Sequence, residues 1–160
     1  MDLERRSVEL RGAGSGASAS GPRTIRGRAI VFDTRSELLE GTFREVIRPG
    51  SIRLRDDLLV LAGHDPQHVL GRVSAGTARV WDDGTGIAFE VVLPDTSYAR
   101  DLTASMDRGD VCACSFAMYV RADDWHMDGS EMVREVLAAD VPELSVVAMP
   151  AYPATEASVT

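Results

Sequence analysis

The sequence predicts a mainly β protein of the α+β kind, in which about seven strands close into a barrel surrounded by a few helices. Short segments of β-branched, aromatic and other apolar residues recur between turn signals. Only one segment has the clear periodicity of a helix, and strands and helices do not alternate regularly. The length of 160 residues favours one domain that can bury a large core.

The first 22 residues are predicted to be a disordered segment ahead of this domain. A charged stretch is followed by a tract of glycine, alanine and serine that runs from Gly12 to Pro22. Such a composition does not bury enough apolar surface to order itself. The folded domain is therefore expected over residues 23–157, with residues 158–160 as a tail.

From residue 24 onward the chain is predicted to consist mainly of strands divided by Gly, Pro and Asp turn signals. A short helix is expected after Ser51, which is placed to cap it. A longer helix is expected over residues 98–108, where apolar residues recur every four positions and Gly109 follows. The segment 123–130 is interpreted as a polar turn. The predicted strands cover residues 24–32, 42–47, 58–62, 87–93, 111–120 and 143–148, with further strand pieces at 71–74 and 77–81.

The strand that begins near Val111 carries the first candidate site residue. Side chains alternate between the two faces of a strand, and Ser115 shares its face with small residues. Open space is therefore predicted around a hydroxyl that could act as a nucleophile. The opposite face is expected to pack into the core, and it carries Cys112, Cys114, Phe116, Met118 and Val120.

The two cysteines are expected to be reduced packing residues. Cys112 and Cys114 lie two apart on one strand face, where disulfide geometry is poor. A thiol nucleophile is the competing interpretation, and a buried structural thiol is favoured over it.

A serine nucleophile needs a base, and the sequence offers His64, His68 and His126. His64 is the best placed, because it follows an apolar strand and lies beside a turn. His126 is interpreted as exposed, and His68 as a loop residue or a metal ligand. Glu143 opens an apolar strand, where a carboxylate needs a partner, so it is a candidate for orienting the base; a solvated strand end is the alternative.

Metal, nucleic-acid and membrane binding are not expected. His64 and His68 have the i, i+4 spacing of a metal-binding pair, but Pro66 interrupts the helix that would align them. A net charge of −8 argues against a phosphate-backbone partner. No apolar run has the length of a signal peptide or a membrane span. No cofactor is expected either.

Short motifs along the chain resemble, in content and order, those of the prohead proteases of tailed phages, the capsid maturation proteases of the HK97 type. The resemblance covers residues 24–157 and implies a serine endopeptidase related in fold to the herpesvirus assembly protease, a β-barrel surrounded by helices. The motifs are Gly27-Arg-Ala-Ile-Val-Phe32, Glu45-Val-Ile-Arg-Pro-Gly50, Gly63-His-Asp-Pro66, Leu70-Gly-Arg72, Leu93-Pro-Asp-Thr96, Arg108-Gly-Asp110, Ser115-Phe116, Glu143-Leu-Ser-Val-Val147 and Pro150-Ala-Tyr-Pro-Ala154.

The resemblance also implies site residues and partners. The family's serine falls on Ser115 and its histidine on His64, while Glu143 lies where a third member is expected, although the related viral enzymes use histidine there. The implied partners are a major capsid protein precursor or scaffold segment and the protease itself, by self-processing or as a homodimer. The implied location is the bacterial host cytoplasm, inside the immature capsid of a phage or prophage.

One departure from the family pattern keeps a second function open. Members often have glycine on both sides of the Ser-Phe pair, whereas this chain has Cys114 and Ala117 there. The alternative is a catalytically inactive capsid-assembly or scaffold-binding module with the same fold. An active enzyme also needs an oxyanion hole, for which the Arg108-Gly109 turn is a candidate.

Overall fold

The computed structural model of the protein describes residues 2–10, 22–149, 152–155 and 157–159, and this part of the chain is mainly β. It contains eleven strands and one helix. The strands are β1 (Glu4–Leu10), β2 (Thr24–Val31), β3 (Phe43–Ile47), β4 (Ile52–Ala62), β5 (Asp65–Arg72), β6 (Ala78–Asp82), β7 (Gly86–Val92), β8 (Ala113–Asp128), β9 (Glu131–Val147), β10 (Tyr152–Thr155) and β11 (Ala157–Val159). The helix is α1 (Ser97–Asp107).

The strands form two sheets, and the mainly β prediction is confirmed. The first sheet has seven strands in the order β10-β1-β8-β9-β4-β5, with β3 also paired to β9; the second has four in the order β11-β2-β7-β6. The first sheet curls strongly into a half-barrel, whereas the sequence predicted a closed barrel with several helices around it. Within the described residues, the strands that pair with one other strand are β10, β5 and β3 in the first sheet and β11 and β6 in the second, and α1 is the one helix.

The core lies between the two sheets and is closed at one side by α1. Ile25 and Phe89 from the second sheet, and Phe116 and Leu144 from the first, are all at most 1% exposed. Met106 of α1 packs into the same cluster. The helix predicted over residues 98–108 is confirmed, and so is the apolar face of the Ser115 strand, since Cys114 and Met118 are also fully buried.

Two local predictions were wrong because pairing between strands overrides local signals. Residues 52–54, predicted to be helical, instead pair in parallel with β9, with Ile52 opposite Ala139. The predicted polar turn over residues 123–130 belongs mostly to β8, which runs to Asp128 and pairs with β9 along its whole polar half. A neighbouring strand supplies backbone hydrogen-bond partners whatever the side chains prefer.

The structure also differs from the prediction at both ends of the chain. Glu4–Leu10, expected to be disordered, forms β1 and pairs antiparallel with β8. At the other end, Ala157–Val159 forms β11 and pairs with β2, where a tail was expected. An open strand edge can order a segment that has no core of its own. The Gly/Ala/Ser tract after β1 lies outside the described residues.

Candidate active site

Ser115 lies in β8 between two neighbouring strands, with Ser145 of β9 opposite it on one side and Ser7 of β1 on the other. Its side chain is fully buried, as are those of Ala113 and Ala117 on the same face. The prediction of open space around the hydroxyl was therefore wrong. β1, which was expected to be disordered, pairs beside this part of β8.

His64 reaches Ser115 from the turn between β4 and β5. Its Nε2 atom lies 2.6 Å from the Ser115 Oγ atom. The turn consists of Gly63 and His64, with φ values of 63° and 60°, as in the two-residue turns that connect twisted antiparallel strands. The backbone N–H of His64 donates to the Oγ atom of Ser145, at 3.0 Å, which ties the turn to β9.

Glu143 contacts the other ring nitrogen of His64. Its Oε1 atom forms a short hydrogen-bonded contact with His64 Nδ1, and its side chain is almost fully buried. Glu143 therefore has the partner that a carboxylate at the start of an apolar strand requires, and it is not a solvated strand end. The structure thus brings the Ser115, His64 and Glu143 side chains into one hydrogen-bonded chain.

Ser145 completes this arrangement and was missed from the sequence. Its hydroxyl donates to Glu143 Oε2 at 2.9 Å and accepts from the His64 backbone. The available signal was strand alternation, because residues two apart in β9 lie on the same face. Ser145 also pairs directly with Ser115 across the strands, but that register is visible only in the structure.

The other candidate residues lie apart from this chain of contacts. His68 is about half exposed, and its ring contacts the Asp65 carboxylate and packs against Tyr98. His126 was expected to be exposed but is half-buried, and it lies near Asp124 and Glu135. Within the described ranges, no group of three or more His, Cys, Asp or Glu side chains is arranged to hold a metal ion.

Both cysteines are free thiols. Cys114 is fully buried, and this burial raises the pKa of its thiol far above the ordinary value. A thiol in that state is not ionised near neutral pH and is a poor nucleophile. Cys112 is half-buried and packs against the core, so the interpretation of the two residues as packing thiols is supported.

The Arg108-Gly109 turn does not supply free N–H groups for an oxyanion. The Arg108 N–H donates to the Ala104 carbonyl, and the Gly109 N–H donates to the Met106 carbonyl at 2.9 Å. Both groups are therefore engaged by α1, and the turn caps the helix.

A buried charge cluster beside Ser115 was also missed from the sequence. Arg6 of β1 and Arg134 of β9 both contact the carboxylate of Glu45, which is 0% exposed. Arg134 also contacts Glu4 and Asp123. Burial raises the pKa of Glu4, but the hydrogen bonds and charges of Arg134 and Arg6 outweigh it and leave that pKa below its ordinary value. The cluster links β1 to β3 and β9.

Comparison with known proteins identifies a family. A family model described as caudovirus prohead serine protease matches residues 4–160, which include β1 and every site residue named above. No curated protein and no solved structure was found to match the chain. Within the described residues, no helix is both long and apolar enough to cross a membrane.

Proposed function

This chain belongs to the caudovirus prohead serine protease family, and from that premise we propose that it is a serine endopeptidase with Ser115 as its nucleophile. The observation that carries the proposal is the 2.6 Å contact between Ser115 Oγ and His64 Nε2, with Glu143 on the opposite ring nitrogen. A hydroxyl, an imidazole and a carboxylate in this order can perform acyl transfer on any fold.

His64 acts as the general base in the proposed reaction. Contact with the Glu143 carboxylate favours the tautomer with hydrogen on Nδ1, which leaves the Nε2 lone pair facing Ser115. His64 takes the Ser115 proton as Oγ attacks the scissile carbonyl carbon. It then gives that proton to the leaving amine, and a water molecule hydrolyses the acyl-enzyme by the same route.

Glu143 and Ser145 hold His64 in position for these proton transfers. The carboxylate of Glu143 stabilises the imidazolium that forms when His64 accepts the proton. Ser145 bonds to both Glu143 and the His64 backbone, so it fixes the carboxylate and the turn relative to each other. We assign Glu143 as the third member of the triad and Ser145 as a positioning residue.

The proposed substrates are a major capsid protein precursor or a scaffold segment, cleaved inside the immature capsid in the bacterial host. The family description supports capsid-related substrates, since a prohead is the immature capsid. Cleavage of the protease itself belongs to the same proposal.

The proposal is tested by substituting Ser115 and His64 separately and together. Either Ser115→Ala or His64→Ala should lower cleavage of a co-expressed capsid precursor by on the order of 10⁴- to 10⁶-fold, about 5 to 8 kcal/mol of transition-state stabilisation. The double variant should be barely worse than either single variant, because the two residues share one proton transfer. Glu143→Gln should cost less than either, on the order of 10²- to 10⁴-fold.

Circular dichroism of each variant separates loss of chemistry from loss of fold. Losses that multiply in the double variant would contradict a shared proton-transfer step. Full cleavage by a folded Ser115→Ala variant would exclude Ser115 as the nucleophile. If the native chain binds the precursor and does not cleave it, the inactive assembly module is the better description, with Cys114 and Ala117 as the departures that account for it.

A further inference from the structure

Building on the proposed peptidase function, we propose that β1 occupies the peptide-binding cleft as a substrate-like strand. We propose further that Glu45 makes this cleft selective for arginine at the residue that supplies the scissile carbonyl.

The position of β1 is the position that an extended peptide substrate needs. One edge of β8 pairs with β9, and the other pairs with β1 from Glu4, opposite Met118, to Glu9, opposite Ala113. Ser115 lies in the middle of that second edge. Peptides that bind by strand addition take up the free edge of a sheet. In this chain the edge beside the nucleophile is already filled by the chain itself.

The backbone of Arg6 meets the nucleophile directly. The Arg6 carbonyl oxygen accepts a hydrogen bond from the Ser115 hydroxyl at 2.6 Å. This is the backbone carbonyl that β1 presents to Ser115, so Arg6 stands where a substrate places the residue before the scissile bond.

The Arg6 carbonyl also competes with His64 for the single hydroxyl proton of Ser115. Both acceptors lie 2.6 Å from Oγ, and a serine hydroxyl has one hydrogen to donate. When Arg6 receives that hydrogen, Nε2 of His64 does not, and the base is not engaged with the nucleophile. A docked β1 therefore blocks the cleft and also withholds the proton that His64 must take.

The side chain of Arg6 lies against the buried carboxylate of Glu45, whose geometry suits a guanidinium group. Arg6 Nε lies 2.8 Å from Glu45 Oε1, and one terminal nitrogen lies 3.1 Å from Oε2, so the contact is bidentate. Glu45 is fully buried, and its own backbone N–H donates to Ser36 Oγ at 2.8 Å. The planar guanidinium group of arginine can donate two parallel hydrogen bonds to this carboxylate, whereas the ammonium group of lysine interacts with it as a point charge.

The site also contacts the side chain two residues before Arg6 in β1. Glu4 of β1 contacts Arg134 at 2.6 Å, and Arg134 also contacts Glu45 at 3.3 Å. A bound peptide with the sequence acidic-x-Arg places its acidic side chain on Arg134 and its arginine on Glu45. The cleft therefore favours an acidic-x-Arg peptide with arginine as its main determinant.

The first experiment measures how accessible Ser115 is in the full-length chain. The rate of labelling by a fluorophosphonate probe is compared for the native chain, Arg6→Ala and Arg5→Ala. Arg5 is the matched control, because it is the same residue type, adjacent in β1, and exposed. Loosening β1 should speed labelling at least about tenfold in Arg6→Ala and leave it unchanged in Arg5→Ala. Equal rates in all three folded chains would overturn the occupied-cleft inference.

Arg6→Lys serves as the second variant if Arg6→Ala does not fold, as judged by circular dichroism. It keeps the charge and loses the bidentate contact, so labelling should again be faster than in the native chain. A rate equal to that of the native chain in folded Arg6→Lys would count against a role for the guanidinium fork.

The second experiment measures peptide binding without catalysis. A fluorescent peptide with the sequence of residues 2–10 is titrated into the full-length Arg6→Ala, Ser115→Ala chain and followed by anisotropy. Replacing Arg6 of the peptide by citrulline, its neutral isostere, should weaken binding at least about tenfold, whereas the same replacement of Arg5 should not. Equal binding of all three peptides would overturn the arginine selectivity.

The two experiments separate this inference from the proposed function. Selective peptide binding without labelling of any variant would count against a nucleophilic Ser115 and would still support a cleft that accepts β1. Labelling of Ser115 at the same rate in all variants, with no selective peptide binding, would support the nucleophile and overturn the inference.

Discussion

His64 holds a backbone conformation that few residues with a side chain adopt. Its φ of 60° follows a φ of 63° at Gly63, so both central residues of the turn lie in the left-handed region. A residue with a Cβ atom pays about 1 to 2 kcal/mol for this conformation, and glycine does not. A histidine in this strained conformation is typical of a functional site, where the imidazole is required despite the cost to the backbone.

Replacing His64 by glycine should therefore separate stability from activity. His64→Gly relieves backbone strain but leaves the buried Glu143 carboxylate without its imidazole partner, so the free energy of unfolding should change by no more than about 1 kcal/mol. The substitution should still abolish precursor cleavage, because the base is gone. Urea denaturation and the cleavage assay measure the two effects.

Glu40→Gly is the matched control for this substitution. Glu40 is exposed and has a φ of 50°, so the same strain is relieved at a position far from the proposed chemistry. The free energy of unfolding should rise by about 1 kcal/mol, because strain is relieved and no buried contact is lost, and cleavage should be fully retained. A large stability loss in His64→Gly with a gain in Glu40→Gly would show that the imidazole contributes to the fold.

The hairpin between β6 and β7 is the element whose stability should depend most clearly on pH. Asp83 Oδ1 accepts hydrogen bonds from the backbone of Thr85 at 2.9 Å and of Gly86 at 3.0 Å. The hydrogen bond from Arg28 lowers the pKa of Asp83, burial raises it, and the hydrogen bonds from Thr85 lower it further. Together they shift this pKa from 3.8 to about 2. Arg28 lies in β2, so this carboxylate joins the turn to the neighbouring strand.

The stability contributed by Asp83 should be lost in acid. Because its pKa is lowered on folding, the contribution is complete above about pH 5 and fades as the pH falls through 4 toward about 2. Above about pH 5, the free energy of unfolding of the native chain should be higher than that of Asp83→Asn. The difference should be less than about 1 kcal/mol, since the ion pair is partly solvated. Urea titrations across this pH range should show that difference shrinking, and in an Arg28→Gln background the shrinkage should become smaller, because only the hydrogen bonds from Thr85 and Gly86 remain. A difference that stayed constant down to pH 2 would contradict the assignment.

At the scale of the whole molecule, β1 connects parts of the fold that are distant in sequence. It pairs with β8 along six residues and brings Arg6 to Glu45 of β3. Glu4 reaches Arg134 of β9 at the same time. Two buried or nearly buried charges, on Glu45 and Arg134, thus have partners on the first strand of the chain.

Removal of residues 1–22 should lower stability, contrary to the expectation from composition. The deletion leaves Glu45 and Arg134 without two of their partners and opens the edge of β8, so unfolding should be easier by about 3 kcal/mol or more. Removal of residues 1–3, which precede β1, is the control and should have little effect. An unchanged melting temperature for the longer deletion would show that the segment is dispensable after all.

Several site residues were predictable because their residue type and local setting already limit their role. A hydroxyl among small neighbours indicated Ser115, a histidine at the end of an apolar strand indicated His64, and a carboxylate at the start of another indicated Glu143. Each of these local signals used only a few adjacent residues and left alternatives open, and the resemblance of the motifs to those of prohead proteases selected Ser115 and His64. Their mutual contact, at 2.6 Å for Ser115 and His64, required the structure, because strand order is not encoded locally.

The sequence by itself determined the mainly β class, the position of the helix, the core face of β8 and the three residues proposed as the triad. Hydrophobic periodicity and residue chemistry act over a few positions and can be read directly, whereas the capping signal at Ser51 was overridden by strand pairing. Only the tertiary structure decided that the first sheet is a half-barrel, that residues 52–54 are a strand, and that Glu4–Leu10 pairs beside Ser115 and brings Arg6 to Glu45. These outcomes depend on pairing between segments far apart in the chain, which supplies backbone hydrogen bonds and charge partners that no local pattern contains.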